Sequence, residues 1–245
     1  MRITVLGSGG WAATDERETA CTLVENAGDV LLLDAGSGAR RLITDDVVDH
    51  VERVDVVLTH FHLDHVVGLG YIQSVADQVV IWAPGEWLYR RPSAAILDPL
   101  LRPPFLAQDL RDAYRIEELQ PDHQTIGRFD VVAGRQPNHW APSAGIRVAD
   151  RLALITDTPY EPSSCALAEG VQQLLHEAWS TSAAPLYAHR DATAADGARV
   201  ALEARAERLT LIHLNPRNAD QQDVLDDARA IFSETSLGHD LSVLE

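Results

Sequence analysis

The chain contains the stretch Thr59-His60-Phe61-His62-Leu63-Asp64-His65, which says more about its fold and chemistry than any other segment. It follows the apolar run Val54 to Leu58, which is typical of a buried strand. In an extended segment residues two positions apart share a face, so His60 and His62 can bind one metal ion. Asp64 and His65 follow where the chain turns, and they are placed to hold a second ion. Three imidazoles and one carboxylate in six positions are rare by chance, so the stretch predicts a metal site.

Length and composition predict one domain over residues 1–245. The chain has 245 residues, 46% of them hydrophobic, which is enough for a sizeable core. No apolar run approaches the roughly 18 residues that span a bilayer, and the amino terminus lacks a signal-peptide pattern. The two cysteines, Cys21 and Cys165, do not form a disulfide framework. We therefore predict a cytoplasmic protein.

The net charge limits the partners. A formal charge of −17 at pH 7 argues against long nucleic acids, whose binding depends on Lys and Arg contacts to phosphates. The same charge disfavours anionic membranes. We therefore expect a small-molecule substrate, no membrane association and no extended RNA or DNA partner, although a local basic pocket would be compatible with this charge.

Strand-like and helix-like segments alternate along the chain and predict an α/β fold. Two strand-rich halves with helices outside indicate a four-layer αββα sandwich. The predicted strands are 2–6, 22–25, 30–33, 54–58, 79–82, 129–133, 145–148, 152–156 and 209–213, and the predicted helices are 38–42, 64–75, 163–169, 192–206 and 220–233.

Further ligand-type side chains follow separate strand-like runs. Asp34, Asp157 and His213 come directly after such runs, and His139 lies in a polar stretch after another. Each is weak evidence alone, because an Asp after a strand is usually a turn former and a lone His is usually structural. With the histidine-rich stretch they supply the nitrogen and oxygen ligands that a binuclear site needs. Strand ends often meet at one edge of a layered α/β protein, so joint placement is expected.

The order of these motifs resembles the metallo-β-lactamase fold superfamily, and within it the ribonuclease Z-like branch. The resemblance runs from Leu6-Gly7-Ser8-Gly9-Gly10 to Leu214-Asn215-Pro216-Arg217. Leu175-His176-Glu177-Ala178-Trp179 looks like the "HEAT" loop of that branch. His189, followed by Ala192-Thr193-Ala194-Ala195, looks like its "HST" loop. The resemblance implies the αββα sandwich, an active site at one edge and a homodimer.

The resemblance also implies roles for individual residues. It implies two Zn²⁺ ions, with Mn²⁺ or Fe as other possibilities, and a nucleophilic water shared between them. Asp157 would bridge the ions, and Asp34 would orient a ligand histidine through a hydrogen bond. The first ion would be held by His60, His62 and His139, and the second by Asp64, His65 and His213.

Three residues are candidates for catalytic roles: Asp64, His189 and Glu177. Asp64 would be catalytic as well as a ligand of the second ion. His189 would donate a proton to the leaving group, and Glu177 would hold that imidazole. His176 would belong to the network that orients His189, or would be a buried, hydrogen-bonded structural histidine.

Two departures from the branch bear on the substrate. Members that process transfer RNA insert a long basic arm between the residues that correspond to His139 and Asp157, and here these are 18 positions apart. The second departure is Arg190-Asp191, which intervenes between His189 and Ala192-Thr193 in the HST-like element. The Pro-rich segment 84–121 carries Trp, Tyr, Phe and Arg residues that would form a pocket wall, or else an ordinary surface loop or dimer contact.

We therefore predict a binuclear metal-dependent hydrolase, specifically a phosphodiesterase acting on a small phosphodiester such as a cyclic nucleotide. One alternative is hydrolysis of a lactone, an ester or a sulfate at the same site. Another is a non-catalytic metal-binding accessory protein, against which the complete set of ligands argues.

Overall fold

Two seven-stranded sheets form the centre of the computed structural model, which describes residues 1–45, 47–187, 189–218 and 221–244. The strands are β1 (Arg2–Gly7), β2 (Cys21–Asn26), β3 (Asp29–Leu33), β4 (Val51–Val57), β5 (Ala76–Ala83), β6 (Tyr114–Glu118), β7 (Asp122–Ile126), β8 (Phe129–Gln136), β9 (Ser143–Val148), β10 (Leu152–Ile155), β11 (Gln173–Glu177), β12 (Arg208–Ile212), β13 (Thr235–Leu237) and β14 (Val243–Leu244). The first sheet has the order β14-β1-β2-β3-β4-β5-β6, and the second has the order β13-β12-β11-β10-β9-β8-β7.

Most of the helices are short. They are α1 (Arg41–Thr44), α2 (Leu63–Val66), α3 (Leu69–Ile72), α4 (Gly85–Tyr89), α5 (Ser93–Leu97), α6 (Pro162–Leu167), α7 (Ala194–Ala204) and α8 (Gln222–Arg229), with a 3-10 turn at Ser37–Arg40. The longest, α7, begins with a capping box in which Thr193 accepts from the backbone N–H of Asp196 and Asp196 accepts from that of Thr193. No helix in the described ranges is long and apolar enough to cross a membrane.

Three hydrophobic layers show how the sheets and helices stack. Alternate residues of a strand point to opposite faces of its sheet. In β3, Leu31 and Leu33 join Phe129 and Leu154 in the layer between the two sheets. Leu32 of the same strand packs on the other face, in a layer with residues of α1 and α3. A third layer lies between the outer face of the second sheet and helices α7 and α8. The predicted αββα sandwich is therefore confirmed.

The directions of the strands bring the carboxyl ends that carry the predicted site residues to one edge of the sandwich. In the first sheet β3 pairs in parallel with β4, and β4 with β5. In the second sheet β10, β11 and β12 are parallel, and β8 runs in the same direction because both β8 and β10 pair antiparallel with β9. The carboxyl ends of β3, β4, β8, β10 and β12 are where Asp34 and the predicted ligands lie, and the end of β11 carries Glu177.

The structure differs from the predicted elements in a few places. Residues 64–75 were predicted as one helix but form the separate turns α2 and α3, which are interrupted at Gly68. A Cβ at Gly68 would lie 2.1 Å from the Gly36 carbonyl oxygen, so a close backbone contact replaces helical continuity. Strands β6, β7, β11, β13 and β14 were missed. The start of the predicted helix 220–233, at Asp220, lies outside the described residues, and α8 covers most of the rest. A single domain over 1–245 and a homodimer remain predictions.

Candidate metal centre

The predicted ligands follow the carboxyl ends of strands from both sheets. Asp34 follows β3, the histidine-rich stretch follows β4, and His139, Asp157 and His213 follow β8, β10 and β12. Asp34, Asp157 and His213 have φ values of +59°, +56° and +50°. Such left-handed conformations are uncommon outside glycine and cluster at functional sites. Here each one turns a side chain from its strand end toward the same point.

The two carboxylate oxygens of Asp157 face different groups of imidazoles. Its Oδ1 lies 3.2 Å from Nε2 of His139 and 3.7 Å from Nε2 of His60. Its Oδ2 lies 3.2 Å from Nε2 of His65 and 3.7 Å from Nε2 of His213. Asp157 is buried between the two groups. One carboxylate thus has one oxygen available to each of two ions.

Two separate clusters of side chains have the composition of cation sites, and a third group, Asp157, Glu177 and His213, overlaps them. The first contains His60, His62, His139 and Asp157, and the second contains Asp64, His65 and His213. In the first, the rings of His60 and His62 have centroids 4.4 Å apart and meet edge to face. In the second, Asp64 Oδ2 lies 3.3 Å from Nε2 of His213 and 3.6 Å from Nε2 of His65. Imidazole nitrogens and carboxylate oxygens are ligands that suit Zn²⁺ and also Mn²⁺ or Fe²⁺.

Buried carboxylates orient the rings of the second cluster. Nδ1 of His65 donates to Asp34 Oδ2 at 2.8 Å, and Nδ1 of His213 donates to Glu177 Oε1 at 3.1 Å. A carboxylate accepts but does not donate, so each Nδ1 carries the proton. Each Nε2 then presents a lone pair toward the centre. This is the outer hydrogen bond that metal-binding histidines commonly make.

Hydrogen bonds at Nδ1 also orient two rings of the first cluster, so that each Nε2 faces inward. Nδ1 of His139 lies 3.0 Å from the carbonyl oxygen of Arg190 and 3.1 Å from Asp191 Oδ1, so it donates to these acceptors. Nδ1 of His60 lies 3.0 Å from the Thr59 hydroxyl oxygen, whose own hydrogen bonds to Asp34 are 2.9–3.0 Å long. Nε2 of both histidines therefore faces Asp157.

The polar atoms at the centre fit bound cations. His60 Nε2 is fully buried and has no hydrogen-bond partner within the described part of the chain. His65 and His213 bring their Nε2 atoms within 3.2 Å of each other while both Nδ1 atoms are hydrogen-bonded outward. Two facing lone pairs repel unless a cation lies beside them, and a buried unpaired polar atom is costly. These residues fit two metal ions.

The charges around the site also favour positive charge at its centre. Burial by itself lowers the pKa of His65, but the carboxylates of Asp34 and Asp157 outweigh it and raise that pKa to about 10. Burial raises the pKa of Glu177 to about 7, although its hydrogen bond to His213 opposes the shift. Buried carboxylates this close together need protons or cations among them.

The two clusters open into a cavity of about 760 Å³. This size is within the range of small-molecule sites. Metal-cluster residues form its floor, among them His62, His139, Asp157 and His213. Its walls come from the loops after β1, β8, β11 and β12 and are formed by Trp11, Trp140, Trp179, Leu186, Tyr187, Asp191, Asn215, Arg217 and Asn218.

Comparison with known proteins agrees with this geometry. Residues 14–155 match the profile of the Metallo-beta-lactamase superfamily. The chain belongs to the metallo-beta-lactamase superfamily. A ribonuclease Z from Saccharolobus islandicus is 24% identical over 288 aligned positions, which cover all of this chain and 99% of that protein.

Solved structures share the same fold. The metallo-beta-lactamase fold protein YhfI from Bacillus subtilis superposes with a TM-score of 0.83 at 20% identity, covering 100% of this chain and 99% of that one. A diphosphatase from the PhnP family superposes with a TM-score of 0.77 at 16% identity, covering 100% and 97%. The superfamily match and the clustered ligands identify this protein as a metal-dependent hydrolase.

The structure does not bring His189 into the centre of this superfamily site. The His189 side chain is exposed, and the residues that line the cavity include Asp191 in its place. Glu177 does not hold His189 either, because its Oε1 accepts from His213 and its Oε2 accepts from the backbone N–H groups of Thr158 and Ala192. The proton-donor role of His189 therefore remains a sequence-based prediction without a supporting contact among the described residues.

The insertion Arg190-Asp191 explains the position of His189. Arg190 Nη1 donates to the carbonyl oxygen of His139 at 2.9 Å, while the Arg190 carbonyl and Asp191 both accept from His139 Nδ1. These contacts attach the segment to the metal-cluster histidine and leave His189 outside. Asp191 was not predicted as a site residue. The available signal was its position between His189 and Ala192-Thr193 in the HST-like element.

His176 is a buried packing residue. Its Nδ1 lies 2.9 Å from the carbonyl oxygen of Glu177, and its ring packs where a Cβ on Gly197 of α7 would approach 3.1 Å from Nδ1. No hydrogen bond within the described ranges links it to His189. The structural interpretation of His176 therefore agrees with the geometry better than a role in orienting His189.

Segment 84–121 does not form the cavity wall. Tyr89 donates to the carbonyl oxygen of Pro142 at 2.7 Å and packs edge to face on Phe61. Trp87 packs against the layer between the sheets. Phe105 is exposed and lines a separate groove beside Leu63. The wall aromatics Trp11, Trp140, Trp179 and Tyr187 lie singly in loops, where sequence patterns carry little signal.

The glycine-rich stretch after β1 leaves room for the His213 ring. A Cβ on Gly10 would lie 2.6 Å from Nδ1 and Cε1 of His213, closer than packed atoms approach. The Gly10 N–H donates to the Leu214 carbonyl oxygen at 3.0 Å, so the backbone is fixed at this distance. A side chain there would displace the His213 ring.

Proposed function

We propose that this enzyme is a phosphodiesterase that binds two metal ions and hydrolyses small phosphodiesters. One observation carries the proposal: the oxygens of Asp157 face the His60–His139 group and the His65–His213 group separately. Zn²⁺ is the first candidate for both ions, and His60, His62, His139, Asp64, His65, His213 and the bridging Asp157 would hold them.

The residues of the chain would divide the work of hydrolysis. The reaction joins a water oxygen to phosphorus, breaks one P–O ester bond and delivers a proton to the leaving oxygen. Two divalent ions would supply water activation and neutralisation of negative charge. Asp34 and Glu177 would fix the rings of His65 and His213. Asp64, which accepts from the Trp11 N–H at 2.7 Å, would help to hold the second ion.

The size of the substrate is inferred from the site and the connection beside it. Between His139 and Asp157 the chain forms the β9–β10 hairpin, as its 18-position spacing suggested, and this leaves no room for a long arm. The cavity of about 760 Å³ accommodates a small molecule. The net charge of −17 also opposes binding along an RNA backbone.

Cleavage of precursor transfer RNA is the second candidate function. It is favoured by the full-length similarity to ribonuclease Z from Saccharolobus islandicus. The alignment spans 288 positions against the 245 residues of this chain, so that relative carries additional segments.

A direct comparison of substrates tests the proposal. Zinc-loaded protein should hydrolyse bis(p-nitrophenyl) phosphate and show at least about 10³-fold lower kcat/KM on precursor transfer RNA. The reason is that a protein with a net charge of −17 opposes binding of the RNA phosphates. Parallel assays with a p-nitrophenyl ester, a lactone and p-nitrophenyl sulfate separate phosphodiester from carbonyl and sulfate chemistry. Faster cleavage of the precursor, or of a carbonyl or sulfate substrate, would replace the proposed function.

A further inference from the structure

The mouth of the cavity concentrates exposed aromatic rings. Trp140 is 65% exposed, Tyr187 is 61% exposed and Trp11 is 56% exposed, and all three line the cavity above the metal clusters. Leu186, beside Tyr187, is also exposed. Large aromatic side chains normally bury most of their surface, and a group of exposed ones around a cavity marks a binding surface.

Trp140 and Tyr187 form one wall of this mouth. Their ring centroids are 6.2 Å apart with an interplanar angle of 72°, which is an edge-to-face arrangement. Trp140 directly follows His139, whose ring belongs to the first metal cluster. A ring stacked on this wall would therefore be close to the reacting centre.

Arg190 holds the wall in place. Its guanidinium carbon lies 5.2 Å from the centroid of the Trp140 ring, within the range of a cation–π contact. The same guanidinium donates to the His139 carbonyl oxygen, and the Arg190 carbonyl accepts from His139 Nδ1. Trp140 is thus positioned before any substrate binds.

Cations make the mouth unsuitable for a lipid tail. The Arg217 guanidinium lies 4.7 Å from the centroid of the Trp11 ring, on the side of Asp64. With Arg190 over Trp140, both aromatic walls carry a positive charge next to a flat ring. Flat rings beside cations suit a planar aromatic group that is joined to an anionic phosphate.

We propose that Trp140 and Tyr187 are specificity-determining residues that stack a planar aromatic ring of the substrate, so that the preferred phosphodiester is of the nucleotide type. This inference rests on the proposed phosphodiesterase function, which places the phosphate at the metal clusters. It concerns the aromatic ring of the substrate, which binds at the cavity mouth and does not react.

Binding of two related ligands tests the subsite without any hydrolysis. AMP and ribose 5-phosphate share the phosphate and the ribose and differ in the base, so calorimetric titration of zinc-loaded protein isolates the contribution of the ring. We expect AMP to bind at least about 10-fold more tightly. Trp140→Ala should weaken AMP binding by about 10- to 100-fold, the range for losing one stacked base, and change ribose 5-phosphate binding by less than about 3-fold.

Variants separate stacking from damage to the metal site. Trp140→Phe should retain most of the preference for AMP. Tyr187→Ala should reduce the preference without altering the neighbour of His139, and Phe105→Ala, which removes an exposed ring outside the cavity, should leave it unchanged. Metal content measured on each variant should stay at the wild-type value.

Two results would overturn the subsite. One is a wild-type protein that binds AMP no more tightly than ribose 5-phosphate. The other is an equal loss of both ligands in Trp140→Ala, which would make Trp140 a support for His139. Failure to hydrolyse phosphodiesters would instead overturn the proposed function, and the binding experiment does not depend on it.

Discussion

Replacing Asp157 with alanine is expected to lower the bound metal from two ions per chain to one or none and to reduce kcat/KM by at least about 10³-fold. The charge stabilisation supplied by metal ions is worth several kcal/mol, and each 1.4 kcal/mol is a factor of ten in rate. Asp157 is the residue whose two oxygens face both imidazole groups, so its loss affects both ions.

Metal analysis by mass spectrometry together with phosphodiester kinetics checks this expectation. Asp157→Asn, which keeps the shape and one acceptor oxygen, covers the case in which the alanine variant does not fold. Asp130→Ala is a matched control, because Asp130 also pairs with a histidine, His123, but on the exposed surface. Two ions retained in both Asp157 variants would show that this carboxylate does not bridge.

Replacing Glu177 with glutamine is expected to weaken binding of the second ion by about 10- to 100-fold while the fold persists. Glutamine can still accept from the backbone N–H groups of Thr158 and Ala192 through its carbonyl oxygen. Its amide NH₂ would then face Nδ1 of His213, where Glu177 now accepts. Two donors cannot share that contact, so His213 would move its proton to Nε2 and lose the lone pair that faces the metal.

Zinc titration of Glu177→Gln by calorimetry, with thermal unfolding in parallel, checks the tautomer argument. Glu118→Gln is the matched control, since Glu118 accepts from the backbone N–H groups of Glu86 and Ser93 away from the site. It should lose comparable hydrogen bonds and keep its zinc affinity. Unchanged zinc affinity in Glu177→Gln would mean that Glu177 does not fix the His213 tautomer.

The clustering of the candidate metal ligands could be predicted from the sequence because each follows a strand end and because four of them lie in one short stretch. A strand ends at a definite residue, and parallel strands end at a common edge, so Asp34, Asp157 and His213 were predictable as neighbours. The αββα layers were predictable for a different reason, because apolar runs typical of strands alternate with segments typical of helices.

The cavity walls could not be predicted in the same way. Trp11, Trp140 and Tyr187 lie in loops, where no periodic pattern indicates which way a side chain points. The Pro-rich segment 84–121, for which the sequence left open a pocket wall or an ordinary surface loop or dimer contact, does not line the cavity, because Trp87 packs inward and Tyr89 bonds to Pro142. Position in a loop is set by tertiary contacts, and these are not encoded locally.

At His189 the position of a residue in a sequence motif differs from the position of its side chain in the structure. His189 was predicted because Ala192-Thr193-Ala194-Ala195 and a helix follow it, and α7 does begin there, with its N-cap at Thr193. The insertion instead places Asp191 against His139 and directs His189 to solvent. Contacts made by the inserted residues, rather than the motif spacing, decide which side chain faces the cavity.

The most direct measurement is a titration of metal-free protein with Zn²⁺, in which hydrolysis of bis(p-nitrophenyl) phosphate is recorded at each ratio of zinc to chain. The arrangement of Asp157 between two imidazole groups predicts two equivalents bound, with the rate rising to its maximum as the second equivalent fills. Full activity at one equivalent, or two bound ions without phosphodiester hydrolysis, would contradict a binuclear phosphodiesterase.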